Sequence, residues 1–179
     1  VINTEDNADY IPPKGVKGEY DRINEIRSKE QSLVLKFDSL QVGNKAAAQK
    51  NLISLTGDRA KSFLIYDKMK MYVYGKSSDW IQADNSDVDV FLRFGLGDDY
   101  YEITQPVFEG WDEQLNRNKI ELDLNWLTKL KVQDSENVNK VRDTDTLIVR
   151  DNIRTYIFTD ESGDSTGKKI TIKGQPSLS

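Results

Sequence analysis

The sequence predicts a mainly β fold, an antiparallel β-sandwich of the jelly-roll type with one or two short helices. Three observations carry this. Short apolar runs with a period of two recur at roughly ten-residue spacing and are separated by turn-forming residues. Neither a βαβ alternation nor a Gly-rich phosphate loop interrupts them. One stretch, DVFLRFGLGDDYYEITQPV over residues 89–107, reads as a complete hairpin. Its strand-like runs, residues 88–94 and 100–104, are joined across Gly95, Leu96, Gly97, Asp98 and Asp99. The two glycines can take φ > 0, and the two aspartates can bond back to the turn backbone. Pro106 has no N–H to donate and ends the ladder.

The other elements follow in chain order. Residues 1–20 are polar and contain Pro12, Pro13 and Gly15, so they read as an extended arm or linker, with one sandwich domain over residues 21–179. Residues 20–29 are charged, and Ile23 and Ile26 are spaced for one or two helical turns. In residues 30–40, Leu33, Leu35 and Phe37 alternate with Val34, Lys36 and Asp38, the mark of a half-buried strand. Ala46, Ala47, Ala48 and Leu52 predict a helix over residues 43–55, closed near Gly57. Residues 63–74 alternate again. Met69, Met71 and Val73 face inward, with Lys68, Lys70, Tyr72 and Tyr74 outward, as suits an edge strand guarded by lysines. Trp80 and Ile81 begin a short strand before an acidic loop. Residues 119–126 predict a strand, then Asn125 caps a short helix over 126–131 with Leu127 and Leu130 facing the core. Residues 133–146 read as a loop. Residues 147–149, 155–158 and 169–173 are short strands, the last two joined by a turn over 159–168.

Composition narrows the chemistry. The 179 residues carry a formal net charge of −5, which argues against nucleic acid and anionic membrane surfaces. With no Cys and no His, thiol nucleophiles, Ser–His relays and imidazole or thiolate zinc sites are excluded. The uncharged runs are too short for a membrane-spanning helix. No secretory signal is visible at Val1, and the missing initiator Met suggests a processed or excised chain.

Several strings resemble one family. They are YDRINEIRSKEQSLVLKF (residues 20–37), DKMKMYVYG (67–75), FLRFGLGDDYYEITQPV (91–107), IELDLNWLTKLK (120–131) and the closing IKGQPSLS (172–179). Together they are similar to the SprA (Sov) family of large outer-membrane gliding and secretion proteins of Bacteroidetes. The resemblance implies a soluble insertion domain of the type 9 secretion translocon, which passes folded cargo across the outer membrane. It implies no catalytic residue and no cofactor. Expected partners are other domains of one long chain, translocon proteins or cargo, and the expected location is the cell envelope, outer-membrane-associated, on the periplasmic or extracellular face. Family members continue past Gly174 into another strand, so this domain is expected to lack a final strand or borrow one.

The candidate functional residues are surface contacts: Tyr72, Tyr74, Asp98, Asp99 and Tyr100. Asp84, Asp87 and Asp89, with Asn85 nearby, offer oxygen ligands to Ca²⁺, but they lack the Gly and terminal Glu of a calcium loop, so solvated loop acids are the simpler account. Trp80, Trp111, Tyr100 and Tyr101 offer an aromatic platform for sugar, the basis of an alternative reading as a carbohydrate-binding module of a cell-surface protein. Alternation assigns at least one of these tyrosines to the core. Glu102, Glu109, Asp112 and Glu113 offer carboxylates for glycoside hydrolysis, and nothing in their spacing selects a pair.

Overall fold

The structure is a computed structural model that describes residues 2–3, 10–18, 20–28, 30–37, 40–49 and 66–178. It divides into two compact units, Val1–Arg59 and Ala60–Ser179.

The first unit is made of small ladders. β1 (Ile2–Asn3) pairs antiparallel with β4 (Gln31–Ser32), and β2 (Tyr20–Asp21) with β3 (Ile26–Arg27). Residues 20–27 therefore form a hairpin rather than helical turns. The cause is local: Asp21 accepts the backbone N–H of Ile23 at 2.8 Å and the side-chain amide of Asn24 at 2.7 Å. Such side-chain turns compete with helix. Among the described residues of the strand expected over 30–40, Gln31–Ser32 alone are strand; residues 33–37 are irregular, and Leu33, Leu35 and Phe37 are exposed. Of the helix expected over 43–55, residues 44–49 are irregular, and 50–55 lie outside the described residues.

The second unit holds a five-stranded antiparallel sheet. Its strands are β6 (Asp89–Leu96), β7 (Asp99–Pro106), β9 (Thr146–Arg150), β10 (Ile153–Thr159) and β11 (Ser165–Lys173), in the order β6-β7-β11-β10-β9. A separate ladder pairs β5 (Lys68–Tyr72) with β8 (Lys119–Asp123), and α1 (Leu124–Leu130) follows β8 directly. The protein is thus mainly β, with antiparallel sheets and one short helix among the described residues. Two four-stranded sheets, as in a jelly roll, are not what the described strands form.

Register explains the core. Leu92, Ile103, Ile170, Tyr156 and Leu147 lie in one cross-strand row, and Phe94, Tyr101 and Ile172 in the next. Ile120 and Leu122 of β8, Leu124, Leu127 and Leu130 of α1, and Leu178 pack against them, joined by Met69 and Met71. Burying each such side chain contributes about 1.5–3 kcal/mol. The β5 alternation appears as expected, with the methionines inward and the lysines outward. The helix is capped two residues earlier than expected: Asp123, not Asn125, accepts the Trp126 N–H at 2.9 Å. That shift places Leu124 in the core with Leu127 and Leu130.

The β6–β7 hairpin closes through a two-residue loop, Gly97 and Asp98, with Leu96 opposite Asp99. Gly97 has φ 59°, the positive first loop position that suits a right-twisted hairpin. Gly95 has φ 144°, and a Cβ there would lie 2.2 Å from the Asp99 carbonyl oxygen. Gly95→Ala should therefore lower stability by about 2 kcal/mol or more, as left-handed strain and overlap add; urea unfolding measures it.

Buried Asp145 closes the β9–β10 end. Its carboxylate accepts the Tyr156 hydroxyl at 2.7 Å, the Thr159 N–H at 2.8 Å and hydroxyl at 2.9 Å, and the Arg142 N–H at 2.9 Å. Burial pushes the carboxyl up, and these hydrogen bonds outweigh it, holding the group below its usual 3.8. A lowered folded-state value means stability that is present above the unfolded value and lost as pH falls through the folded one. Asp145→Ala should cost about 2–4 kcal/mol at neutral pH, because four donors lose their acceptor. Urea titrations should also show the wild-type advantage over Asp145→Asn shrinking below about pH 4.

Candidate functional site

The expected contact residues fall into two groups at opposite ends of the unit. At the hairpin tip, Asp98 pairs with Lys173 at 2.6 Å, and Asp99 accepts the Gln175 N–H at 2.8 Å. Tyr100 lies under the Arg93 guanidinium, 4.0 Å from ring centroid to carbon. The tip therefore holds the C-terminal segment, whose Pro176 and Leu178 are buried. Gly174, with φ 66°, passes so close to Asp99 that any Cβ would overlap its carboxylate.

Tyr72 and Tyr74 stand at the other end, near the close of β7, which runs about 23 Å at strand rise. Tyr74 is 58% exposed and meets Trp111 edge-on, centroids 5.1 Å apart. Trp111 belongs to a loop clamped by two side chains. Asn118 receives the Phe108 N–H and donates to the Phe108 and Gly110 carbonyls at 2.7 and 2.9 Å. Arg117 stacks on Phe108 at 3.6 Å, grips Asp112 at 2.8 Å and donates to the Ala83 carbonyl. Burial raises the Asp112 carboxyl, and Arg117 more than reverses this, leaving it below the usual range.

The other sequence candidates do not converge. Tyr101 is fully buried and Tyr100 is stacked under Arg93, so neither joins Trp80 and Trp111 in a platform. Glu102 is buried and bound by Arg93 at 2.9 Å, and Asp112 is bound by Arg117. Among the described residues, no three acidic groups come together to hold a metal, Asp84, Asp87 and Asp89 included. Nor is any helix among them long and apolar enough to cross a membrane.

A cleft of about 460 Å³ is the feature that sequence reading missed. Glu121, Leu122, Asp123, Trp126, Val141, Phe158 and Lys168 line it. Trp126 stands edge-on to Tyr156 at 5.0 Å, and its indole N–H donates to the Asn139 carbonyl at 2.9 Å, which fixes the apolar wall. Lys168 is in phase with Ile170 and Ile172 and so enters from the inward face of β11, one residue before Lys169, which pairs with Thr104 of β7 and Ile157 of β10. Its ammonium lies 5.0 Å from the Phe158 ring and has no hydrogen bond or ion pair among the described residues. Burial lowers its pKa, with Glu121 opposing more weakly. At the rim, Glu121 accepts Lys119 at 2.6 Å and lies 3.6 Å from both Lys68 and Lys70. The Lys119 hydrogen bond leads in lowering the Glu121 pKa. The periodicity of Lys168, Ile170 and Ile172 was the available signal, masked by the turn-like composition of residues 159–168.

By fold the chain is a mainly antiparallel β protein, with its surface chemistry in one lysine-lined cleft and one exposed tyrosine pair. It belongs to the SprA_N family of motility related/secretion proteins, whose family model matches residues 1–179. Neither a curated protein nor a solved structure matches it.

Lys168→Met should raise the melting temperature by about 2–4 °C at neutral pH, since a half-buried charge without an ion-pair partner among the described residues opposes folding. A group with a lowered folded-state pKa stabilises the fold increasingly as pH climbs toward the unfolded value, so the advantage of Met should shrink toward pH 10.5. Thermal melts across alkaline pH read both effects.

Proposed function

We propose that this chain is a non-enzymatic accessory domain of a SprA-like outer-membrane translocon, serving type 9 secretion and gliding motility. It shapes the pore or contacts translocon partners and secreted cargo, and it resides in the cell envelope, on the periplasmic or extracellular face of the outer membrane. The observation that carries this reading is the family match over residues 1–179. The surface agrees in kind. Exposed Tyr72 closes the β5–β8 ladder and exposed Tyr74 follows it against Trp111, and surface aromatic residues are effective contact anchors. Asp98 keeps its carboxylate at the surface beside Lys173.

The test uses an antibody against residues 98–104 on cell fractions of the source organism. An outer-membrane band many times larger than the 20.5 kDa of this chain is expected. A soluble band near 20.5 kDa would overturn the reading. In the native protein, replacing Tyr72 and Tyr74 together by Ser should cut secretion or gliding about tenfold at unchanged protein level, the effect of removing a contact hot spot.

A further inference from the structure

The cleft has features that surface shape alone does not require. It takes both an inward residue of β8, Leu122, and two outward ones, Glu121 and Asp123, and none from β5. It therefore runs along the β8 edge that faces away from β5. The backbone on that edge is available. Val73 N–H bonds the Asn118 carbonyl and Leu124 N–H the Asp67 carbonyl, so 71/120 and 69/122 are the hydrogen-bonded pairs of the ladder. In an antiparallel ladder the intervening residue, Glu121, then directs its N–H and C=O away from β5. Neither group has a partner among the described residues.

The charge beside this edge is also specific. Lys68, Lys70, Lys119 and Lys168 stand against Glu121 and Asp123, four cations to two carboxylates, in a chain of net charge −5. Glu121 is already occupied by three of the lysines, and Asp123 by the helix N-terminus. Among the described residues, Lys168 has no hydrogen bond or ion pair for its ammonium, which lies inside the cleft beside Phe158.

We propose that the cleft binds an extended acidic peptide segment of a partner protein, added along the β8 edge. Its backbone pairs with Glu121, an aliphatic side chain packs on Trp126 and Phe158, and a carboxylate two residues along, on the same face, ion-pairs with Lys168. Residues i and i+2 of a strand share a face, and Lys168 stands beside Phe158, so the aliphatic and acidic residues of the matching sequence are two apart and both enter the cleft. A peptide fits these features better than a free anion, since a free anion would leave the Glu121 backbone groups unpaired.

This inference rests on the reading of the chain as a partner-contacting domain, and names the partner's chemistry. The test titrates the whole chain with an acetylated, amidated hexapeptide that carries Val and Glu two residues apart on one face, with Thr between them, read by Trp fluorescence and by ¹⁵N amide shifts. Saturable binding is expected, with shifts at Glu121, Leu122, Trp126 and Lys168. Gln in place of Glu in the peptide, or Lys168→Gln in the protein, should weaken it about tenfold or more, while Lys168→Arg retains most of it. N-methylating the peptide amides that face β8 should abolish it. Equal binding of the Glu and Gln peptides, indifference to Lys168→Gln in protein whose far-ultraviolet circular dichroism is unchanged, or tolerance of N-methylation would each overturn the proposal. If the peptide fails while the chain still fractionates in a large outer-membrane polypeptide and the tyrosine variant loses secretion, only the cleft inference falls. If fractionation fails, the translocon reading falls whatever the peptide does.

Discussion

The second unit depends on β7 being buried on both faces. Five consecutive residues, Tyr101 to Gln105, have almost no exposed surface. Tyr101 and Ile103 meet the core, and Glu102 and Thr104 lie on the opposite face, so an ionised carboxylate sits in a central strand. Such a charge is tolerated only when paired. Arg93, directly across the ladder on β6, supplies the pair through two nitrogens and rests its guanidinium on Tyr100. The ion pair holds the hairpin in register, because a one-residue slip would turn Glu102 into the apolar core. With β7 in place, β11 docks on its other edge and brings β10 and β9 with it.

Buried polar groups then set what the sheet presents. Asn118 and Asp145 each have every charged or amide contact answered by named donors and acceptors, and each ties an irregular segment to the sheet. Asn118 holds residues 108–110 where Trp111 can meet Tyr74. Asp145 holds the loop after α1, and with it Val141, against the cleft that Trp126 and Phe158 complete. Loops that carry contact residues are usually the mobile parts of a fold. Here the two surfaces of interest are anchored by satisfied networks, which lowers the entropy a partner must remove on binding.

Where one side chain pattern decided the outcome, the sequence was a good guide. The hairpin at residues 89–107, the inward methionines of β5, and Leu127 and Leu130 of α1 all follow from alternation or helical spacing. Reading failed where local polar chemistry competed with periodicity. Asp21 turned a helix-spaced segment into a hairpin, and Asp123 captured the helix start ahead of Asn125. The run Leu33, Leu35, Phe37 alternates correctly yet is exposed, because alternation states which face is apolar and not whether another element covers it. The cleft was hidden for a different reason. Its residues come from β8, α1, the loop after it, β10 and β11, and only the strand order brings them together.

Lys168 is the point where stability and use separate. Its neighbours Ile170 and Ile172 show that the inward position accepts an aliphatic side chain, and β11 would fold at least as well with one there. A lysine at that place loses hydration, lies against the Phe158 ring, and has no hydrogen bond or ion pair among the described residues. The other lysines of the rim have Glu121 and water. Folds give up stability in this manner where a group is held ready for something outside them. The open backbone of Glu121 on the same edge is a second such group, a donor and an acceptor that an added strand would satisfy together. Both sit in one cleft, and one extended ligand with an aliphatic and an acidic side chain on the same face answers both.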